Sequence, residues 1–206
     1  LELYAAMRAQ VGADFPIGIK LNSADFQRGG FTEEESLATI KALADAGIDL
    51  IEISGGTYEA PAMTGAKAST IEREAYFLTF AETVRQHIST PLMVTGGFRT
   101  LAVMQAALDS GALDLIGLGR PLAIEPDAAN RLLAGEEMRY RVKPIKTGIG
   151  MVDRMAIMEV SWYTRQLHRM GNGKAPKPNE SGLWSFAATV VANVRGTVKT
   201  RRMRAS

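Results

Sequence analysis

Two glycine-containing turns carry the residues best suited to binding an anion. Gly96-Gly97 directly follow the apolar segment 92–95, and Gly119-Arg120 follow the apolar segment 114–118. Adjacent glycines let the backbone approach a ligand closely, so that amide N–H groups can converge on an anion. An arginine guanidinium can hold a phosphate through paired hydrogen bonds. From these residues alone, phosphate binding and ordinary turn formation are equally supported.

A lysine within an apolar segment is the second residue that could do chemistry. Lys20 lies in segment 16–21, where strand alternation places Ile17, Ile19 and Leu21 on the opposite face. A charge on the inner face of a sheet needs a partner. That partner could be an anionic ligand or Glu52 on the neighbouring strand, and the alternative is a lysine at the rim in solvent.

The elements that would position these residues alternate between strands and helices. The sequence predicts helices after Thr32, which forms a capping box with Glu35, at about 72–88, and after Thr100. Four strands are predicted between and around these helices, at 16–21, 49–54, 92–95 and 114–118. Such alternation implies parallel strands joined by right-handed crossovers. The pattern does not decide between an open sheet and a closed barrel.

After Pro126 the alternation stops, and the part after about Gly135 is an extension rather than another strand–helix unit. Helical segments are predicted near 128–133, 153–170 and 184–194, with a loop at 171–182 that is rich in turn-forming residues. We therefore expect one α/β domain over 1–135, followed by a helical C-terminal extension over 136–206.

Several segments, in order and at matching spacing, resemble the old yellow enzyme family of FMN-dependent NADH:flavin oxidoreductases and ene-reductases. The resemblance covers most of residues 1–135 and continues loosely to 161–163. It rests on the segments IKLN (19–22), GGFTEE (29–34), DLIEISGG (49–56), REAYF (73–77), TGGFR (95–99) and DLIGLGRPL (114–122).

The resemblance implies an eight-stranded TIM barrel, of which this chain would be the C-terminal half, strands five to eight. It also implies FMN as cofactor and NAD(P)H as hydride donor. Thr95 and Gly96-Gly97 would bind the FMN phosphate together with Gly119-Arg120. Lys20 would lie at the pyrimidine edge of the flavin ring, where the family usually has arginine.

The family's substrate-anchoring His-x-x-His or His-x-x-Asn pair and its proton-donating tyrosine have no counterpart here. The histidines, His87 and His168, fit neither pattern. The sequence therefore predicts a chain that holds FMN, has no catalytic residue of its own, and is inactive alone. The chain reads as one entered partway through, because Leu1 is neither an initiator methionine nor part of a signal-peptide pattern.

Other interpretations remain open. One is a different phosphate-binding FMN barrel, such as a 2-hydroxy-acid oxidase or a dihydroorotate dehydrogenase. A 2-hydroxy-acid oxidase should have histidine and arginine just before its glycine pair, and residues 89–95 contain neither. A non-catalytic assembly module is another, since a half-barrel exposes a sheet edge and an apolar core.

Composition and charge limit the kinds of ligand and partner that we expect. The absence of cysteine excludes disulfides and thiolate metal sites, and agrees with a cytoplasmic location. The net charge of +2 does not suggest nucleic acid or an anionic membrane. The basic cluster at 195–204 is interpreted as a solvated tail rather than a binding patch. We expect a small-molecule substrate, no metal, and either a homo-oligomer or the missing N-terminal half as partner.

Overall fold

A computed structural model of the chain describes residues 1–55, 74–140, 145–153 and 157–192. The chain separates into two compact units. The first comprises 1–119 and 130–141, and the second comprises 120–129 and 142–206.

The first unit alternates helices and strands, as the sequence predicts. Its elements in chain order are α1 (Glu2–Val11), β1 (Gly18–Asn22), α2 (Glu33–Asp45), β2 (Leu50–Ser54), α3 (Leu78–Arg85), β3 (Leu92–Thr95), α4 (Leu101–Asp109) and β4 (Leu115–Gly117).

The strands form a parallel four-stranded sheet in the order β1-β2-β3-β4. Residues on one face of each strand pack into the apolar core with the helices. Ile51, Ile53, Leu92 and Val94 are fully buried there, which is why these strands read as apolar runs. The predicted α/β fold with a parallel sheet is confirmed.

Local signals explain where α2 begins. Thr32 accepts a hydrogen bond from the Glu35 backbone N–H (3.2 Å), and the Glu35 carboxylate accepts one from the Thr32 N–H (2.9 Å). The predicted capping box is therefore present. It fixes the start of α2 at Glu33, and this helix connects the parallel strands β1 and β2.

The predicted helix at 72–88 is wrong in its extent. The helix occupies only Leu78–Arg85, and residues 56–73, which include the predicted start, lie outside the described part of the chain. Ala75 has φ 53°, in the left-handed region, so a right-handed helix cannot pass through it. Glu74 instead accepts hydrogen bonds from Arg99 and Thr100, and the Tyr76 ring packs against Gly97.

The second unit is helical in its described part. Its helices are α5 (Arg120–Ile124), α6 (Ala128–Leu133), α7 (Gly150–Asp153) and α8 (Ile157–Gly171). Residues 130–133 of α6 are assigned to the first unit. Residues 182–192 form a further helix, here called the C-terminal helix. Trp162 of α8 is buried, and its indole N–H donates to the Glu180 carbonyl (3.0 Å). None of the helices in the described ranges has the length and apolarity needed to span a membrane.

Candidate functional site

The candidate site lies at the carboxyl ends of β3 and β4. Thr95 pairs with Gly117 in the parallel register, so Gly97 and Gly119 each follow a paired residue by two positions. Within the part of the chain that the structure describes, the backbone N–H groups of Gly97 and Gly119 donate to no protein acceptor. Unpaired N–H groups at the ends of adjacent parallel strands are suited to an anion.

Aromatic side chains pack directly against the first turn. Gly96 has φ 146° and Gly97 has φ 81°. A Cβ at Gly96 would lie 2.6 Å from the Phe77 ring, and a Cβ at Gly97 would lie 2.8 Å from the Tyr76 ring. Both positions thus require glycine for backbone conformation and for packing, whether or not a ligand binds.

The second turn is open by comparison. A Cβ at Gly119 would meet no atom within 4 Å. At Gly117, inside β4, a Cβ would overlap the hydroxyl of Thr95. Gly117 was missed as a candidate, although a glycine within a strand is a signal for close approach of another group.

Three polar side chains meet on the face of the sheet opposite the helix-packed core. Lys20 Nζ forms an ion pair with Glu52, its register partner, and Thr95 Oγ1 donates to Glu52 Oε1 (2.6 Å). Partial burial of Glu52 opposes its ionisation, but the hydrogen bonds from Lys20 and Thr95 prevail and lower its pKa. The structure thus brings together Lys20 and Thr95 through Glu52.

A carboxylate that the sequence analysis did not single out supports the glycine turn. Glu74 Oε2 accepts hydrogen bonds from the backbone N–H groups of Arg99 (2.9 Å) and Thr100 (3.0 Å) and from the Thr100 hydroxyl (3.2 Å). Thr100 is the N-cap residue of α4, as predicted, but its side chain makes no cap hydrogen bond. Glu74 satisfies the helix terminus instead.

Arg120 belongs to the second unit and has a partner there. Its Nη1 lies 3.4 Å from the Glu159 carboxylate, and its side chain is partly exposed. Nearby, burial raises the pKa of Tyr163, with the Arg120 charge opposing and the Glu159 charge adding to that shift. The Arg120 guanidinium thus interacts with Glu159 and Tyr163 of its own unit.

Neither histidine shows features of an active-site residue. His87 and His168 are both exposed. No group of three or more potential metal-ligating side chains occurs in the described ranges.

Comparison with known proteins identifies the family. Residues 1–138 match the family model for the NADH:flavin oxidoreductase / NADH oxidase family. The chain is 41% identical over 136 residues to the NADH-dependent flavin oxidoreductase iccE of Talaromyces variabilis, covering 61% of this chain and 32% of that protein. It is 39% identical over 137 residues to iliE of Neonectria sp. (strain DH2), covering 61% of this chain and 18% of that protein.

A solved structure agrees with this assignment. A 2-naphthoyl-CoA reductase superposes with a TM-score of 0.59 at 28% identity, over 66% of this chain and 20% of that one. The chain thus spans a third or less of the length of these proteins. The family resemblance drawn from the motifs is confirmed, and the chain belongs to the NADH:flavin oxidoreductase / NADH oxidase family.

Proposed function

We propose that this chain supplies the phosphate end and one ring contact of an FMN site in an oxidoreductase of the old yellow enzyme type. The complete protein would transfer hydride from NAD(P)H, through FMN, to an activated alkene. The four parallel strands would be strands five to eight of its barrel. The observation that carries the proposal is that the N–H groups of Gly97 and Gly119, on adjacent strand ends, donate to no acceptor among the described residues.

The phosphate would be bound mainly by backbone. The Gly97 N–H group is held in position because the Tyr76 ring and the Glu74 hydrogen bonds fix the turn on both sides. Donors that are already fixed need no reorganisation when a dianion binds. The space beside Gly119 leaves room for phosphate oxygens. The family resemblance implies that the Arg120 guanidinium would also bind the phosphate.

Lys20 would place a positive charge at the flavin ring. Glu52, which also accepts a hydrogen bond from Thr95, orients the ammonium group, and the ammonium has further N–H donors for a ligand. When bound, FMN supplies the redox chemistry, and a nearby cation favours its anionic reduced form. The carboxylate of Glu52 offsets part of the Lys20 charge. We therefore expect Lys20 to favour the anionic reduced flavin less than an unpaired cation would.

Hydride addition to the β-carbon of an activated alkene must be completed by a proton at the α-carbon, and the family's proton-donating tyrosine has no counterpart in this sequence. The sequence also has no His-x-x-His or His-x-x-Asn pair, and the matched region covers about a third of a related enzyme. We therefore expect FMN binding without turnover.

The flavin absorbance of the purified, FMN-reconstituted chain tests the proposal. A near-stoichiometric visible flavin spectrum, with no NADH oxidation in the presence of an enone, is the expected result. A protein that stays colourless after reconstitution would refute FMN binding. Turnover at a rate typical of full-length relatives would refute the half-site interpretation.

A second candidate function is an assembly module without catalysis. It is favoured by the outer edges of β1 and β4, which have no strand partner in the described chain, and by Leu115, which is 45% exposed on β4. Open edges and apolar surface promote association between chains. Colourless, self-associating protein would support this second function over the first.

A further inference from the structure

Thr95 is the last residue of β3, directly before the glycine pair, but its side chain lies on the face of the sheet opposite the helix-packed core. Leu92 and Val94 of the same strand are fully buried in that core. Alternation along the strand therefore places the Thr95 side chain on the other face, where it contacts Glu52, the partner of Lys20. The family resemblance groups Thr95 with the phosphate, whereas the contacts of its side chain group it with Lys20.

The proton of the Thr95 hydroxyl is already engaged in a hydrogen bond. Thr95 Oγ1 donates to Glu52 Oε1 (2.6 Å), and a threonine hydroxyl carries a single proton. An ionised phosphate oxygen accepts hydrogen bonds and needs a donor. While the bond to Glu52 is present, the Thr95 hydroxyl has no proton to donate to a phosphate.

Gly117 of β4 leaves the space that this hydroxyl occupies. The two residues are partners in the parallel register, and a Cβ at Gly117 would lie 1.7 Å from Thr95 Oγ1. A side chain at position 117 would therefore displace the hydroxyl. The hydroxyl thus lies beside Gly117 on one neighbouring strand and is bonded to Glu52 on the other.

Glu52 connects this hydroxyl to the ammonium group of Lys20. One oxygen, Glu52 Oε1, accepts hydrogen bonds from both Thr95 Oγ1 and Lys20 Nζ. The Glu52 side chain is 22% exposed, whereas the Lys20 side chain is 53% exposed, so the ammonium stays accessible to a ligand. A carboxylate that is held by a second donor keeps fewer conformations, and so does the ammonium bound to it.

We propose that Thr95 is a positioning residue for the ring end of the flavin site, acting through Glu52 on Lys20, and that its side chain is not a phosphate ligand. This inference rests on the proposed function, in which Lys20 lies at the flavin ring. A cation stabilises the anionic reduced flavin more strongly when it is held closer to the ring. Loss of the Thr95 hydroxyl should therefore weaken this stabilisation and leave the binding of the phosphate unchanged.

Thr95→Val tests the proposal, because valine keeps the branched shape of the side chain and removes the hydroxyl. Two measurements on the FMN-reconstituted full chain separate the two ends of the site. Dye equilibration gives the reduction potential of the bound flavin, and the ratio of FMN to riboflavin affinity reports on the phosphate. We expect the preference for reduced over oxidised FMN to fall about fivefold, which lowers the potential by about 20 mV for a two-electron couple. The affinity ratio should stay constant.

Further variants show whether the effect passes through Lys20. Thr95→Ser restores the hydroxyl and should restore the potential. In the Lys20→Met background, adding Thr95→Val should change the potential no further, because the ammonium that Thr95 helps to position is gone. The matched control is Thr83→Val on the exposed side of α3, which removes a hydroxyl that donates to the Thr79 carbonyl (3.2 Å). It should leave both measurements unchanged.

Thr95→Ala is the second variant, in case valine is not accommodated beside Gly117. It removes the same hydroxyl without adding a methyl group, and it should lower the potential as Thr95→Val does.

Three results would overturn the proposal. One is a lower FMN-to-riboflavin ratio at an unchanged potential, which would assign the Thr95 side chain to the phosphate. Another is no change in either measurement. The third is an equal shift in potential with and without Lys20. A chain that binds no flavin would refute the proposed function as well, so flavin binding by the unmodified chain distinguishes the two failures.

Discussion

The two glycine turns differ in whether backbone conformation and packing require glycine. At Gly96-Gly97, positive φ angles and the rings of Phe77 and Tyr76 exclude any Cβ. Gly119 lies outside the left-handed region and has open space around its Cβ position. The fold therefore requires the first pair of glycines and does not require Gly119. A glycine that the fold does not need is the more informative sign of a ligand.

The largest expected effect is on stability at the first turn. Gly97→Ala would force a residue with a side chain to adopt φ 81° and place its Cβ 2.8 Å from the Tyr76 ring. Strain of this kind costs about 1–3 kcal/mol before the overlap is counted. Urea unfolding should show a loss of at least this size in the free energy of unfolding. An unchanged midpoint would mean that the turn is not held as described.

The next effect should be on ligand affinity at the second turn. We expect Gly119→Ala to change the free energy of unfolding by less than about 0.5 kcal/mol. It should weaken FMN binding about tenfold by crowding the phosphate. Riboflavin, which lacks the phosphate, is the control ligand, and its affinity should stay constant. Equal losses for both ligands would place Gly119 away from the phosphate.

A substitution at Lys20 should weaken the binding of both flavins, unlike Gly119→Ala, which should weaken the binding of FMN alone. Removing the charge with Lys20→Met should weaken FMN and riboflavin to the same extent, on the order of tenfold, because the proposed contact is with the ring. Isothermal titration with both ligands measures this. A loss confined to FMN would move Lys20 to the phosphate end of the site.

The smallest effect concerns the ionisation of Glu52. Its pKa is lowered in the folded chain, so the stabilisation it provides is fully present above its ordinary pKa. That stabilisation is lost as pH falls through the lowered value. Because Glu52 and Lys20 are partly exposed, we expect less than about 1 kcal/mol. Glu52→Gln should flatten the acid limb of a stability–pH curve, and an unchanged limb would contradict the assignment.

Local patterns were sufficient to predict part of this structure. The alternation of side chains in β1 and β2 predicted that Lys20 and Glu52 could meet, and their register confirms it. The Thr32–Glu35 spacing predicted the start of α2, because a capping box is formed within four residues.

Contacts between distant residues could not be predicted in this way. Glu74 reaches Thr100 across 26 positions, and the Tyr76 ring covers Gly97 directly after Ala75, which adopts a left-handed conformation. Neither contact follows from a periodic pattern in the sequence. The helical pattern around Phe77 favoured an earlier helix start, and tertiary contacts overrode it.

The ratio of FMN to riboflavin affinity for the intact chain tests the central claim most directly. If Gly97 and Gly119 donate to the phosphate, FMN should bind at least tenfold more tightly than riboflavin, since hydrogen bonds to a charged group contribute about 1.5–3 kcal/mol each. Equal affinities for the two flavins would contradict the claim that these turns form the phosphate end of the site.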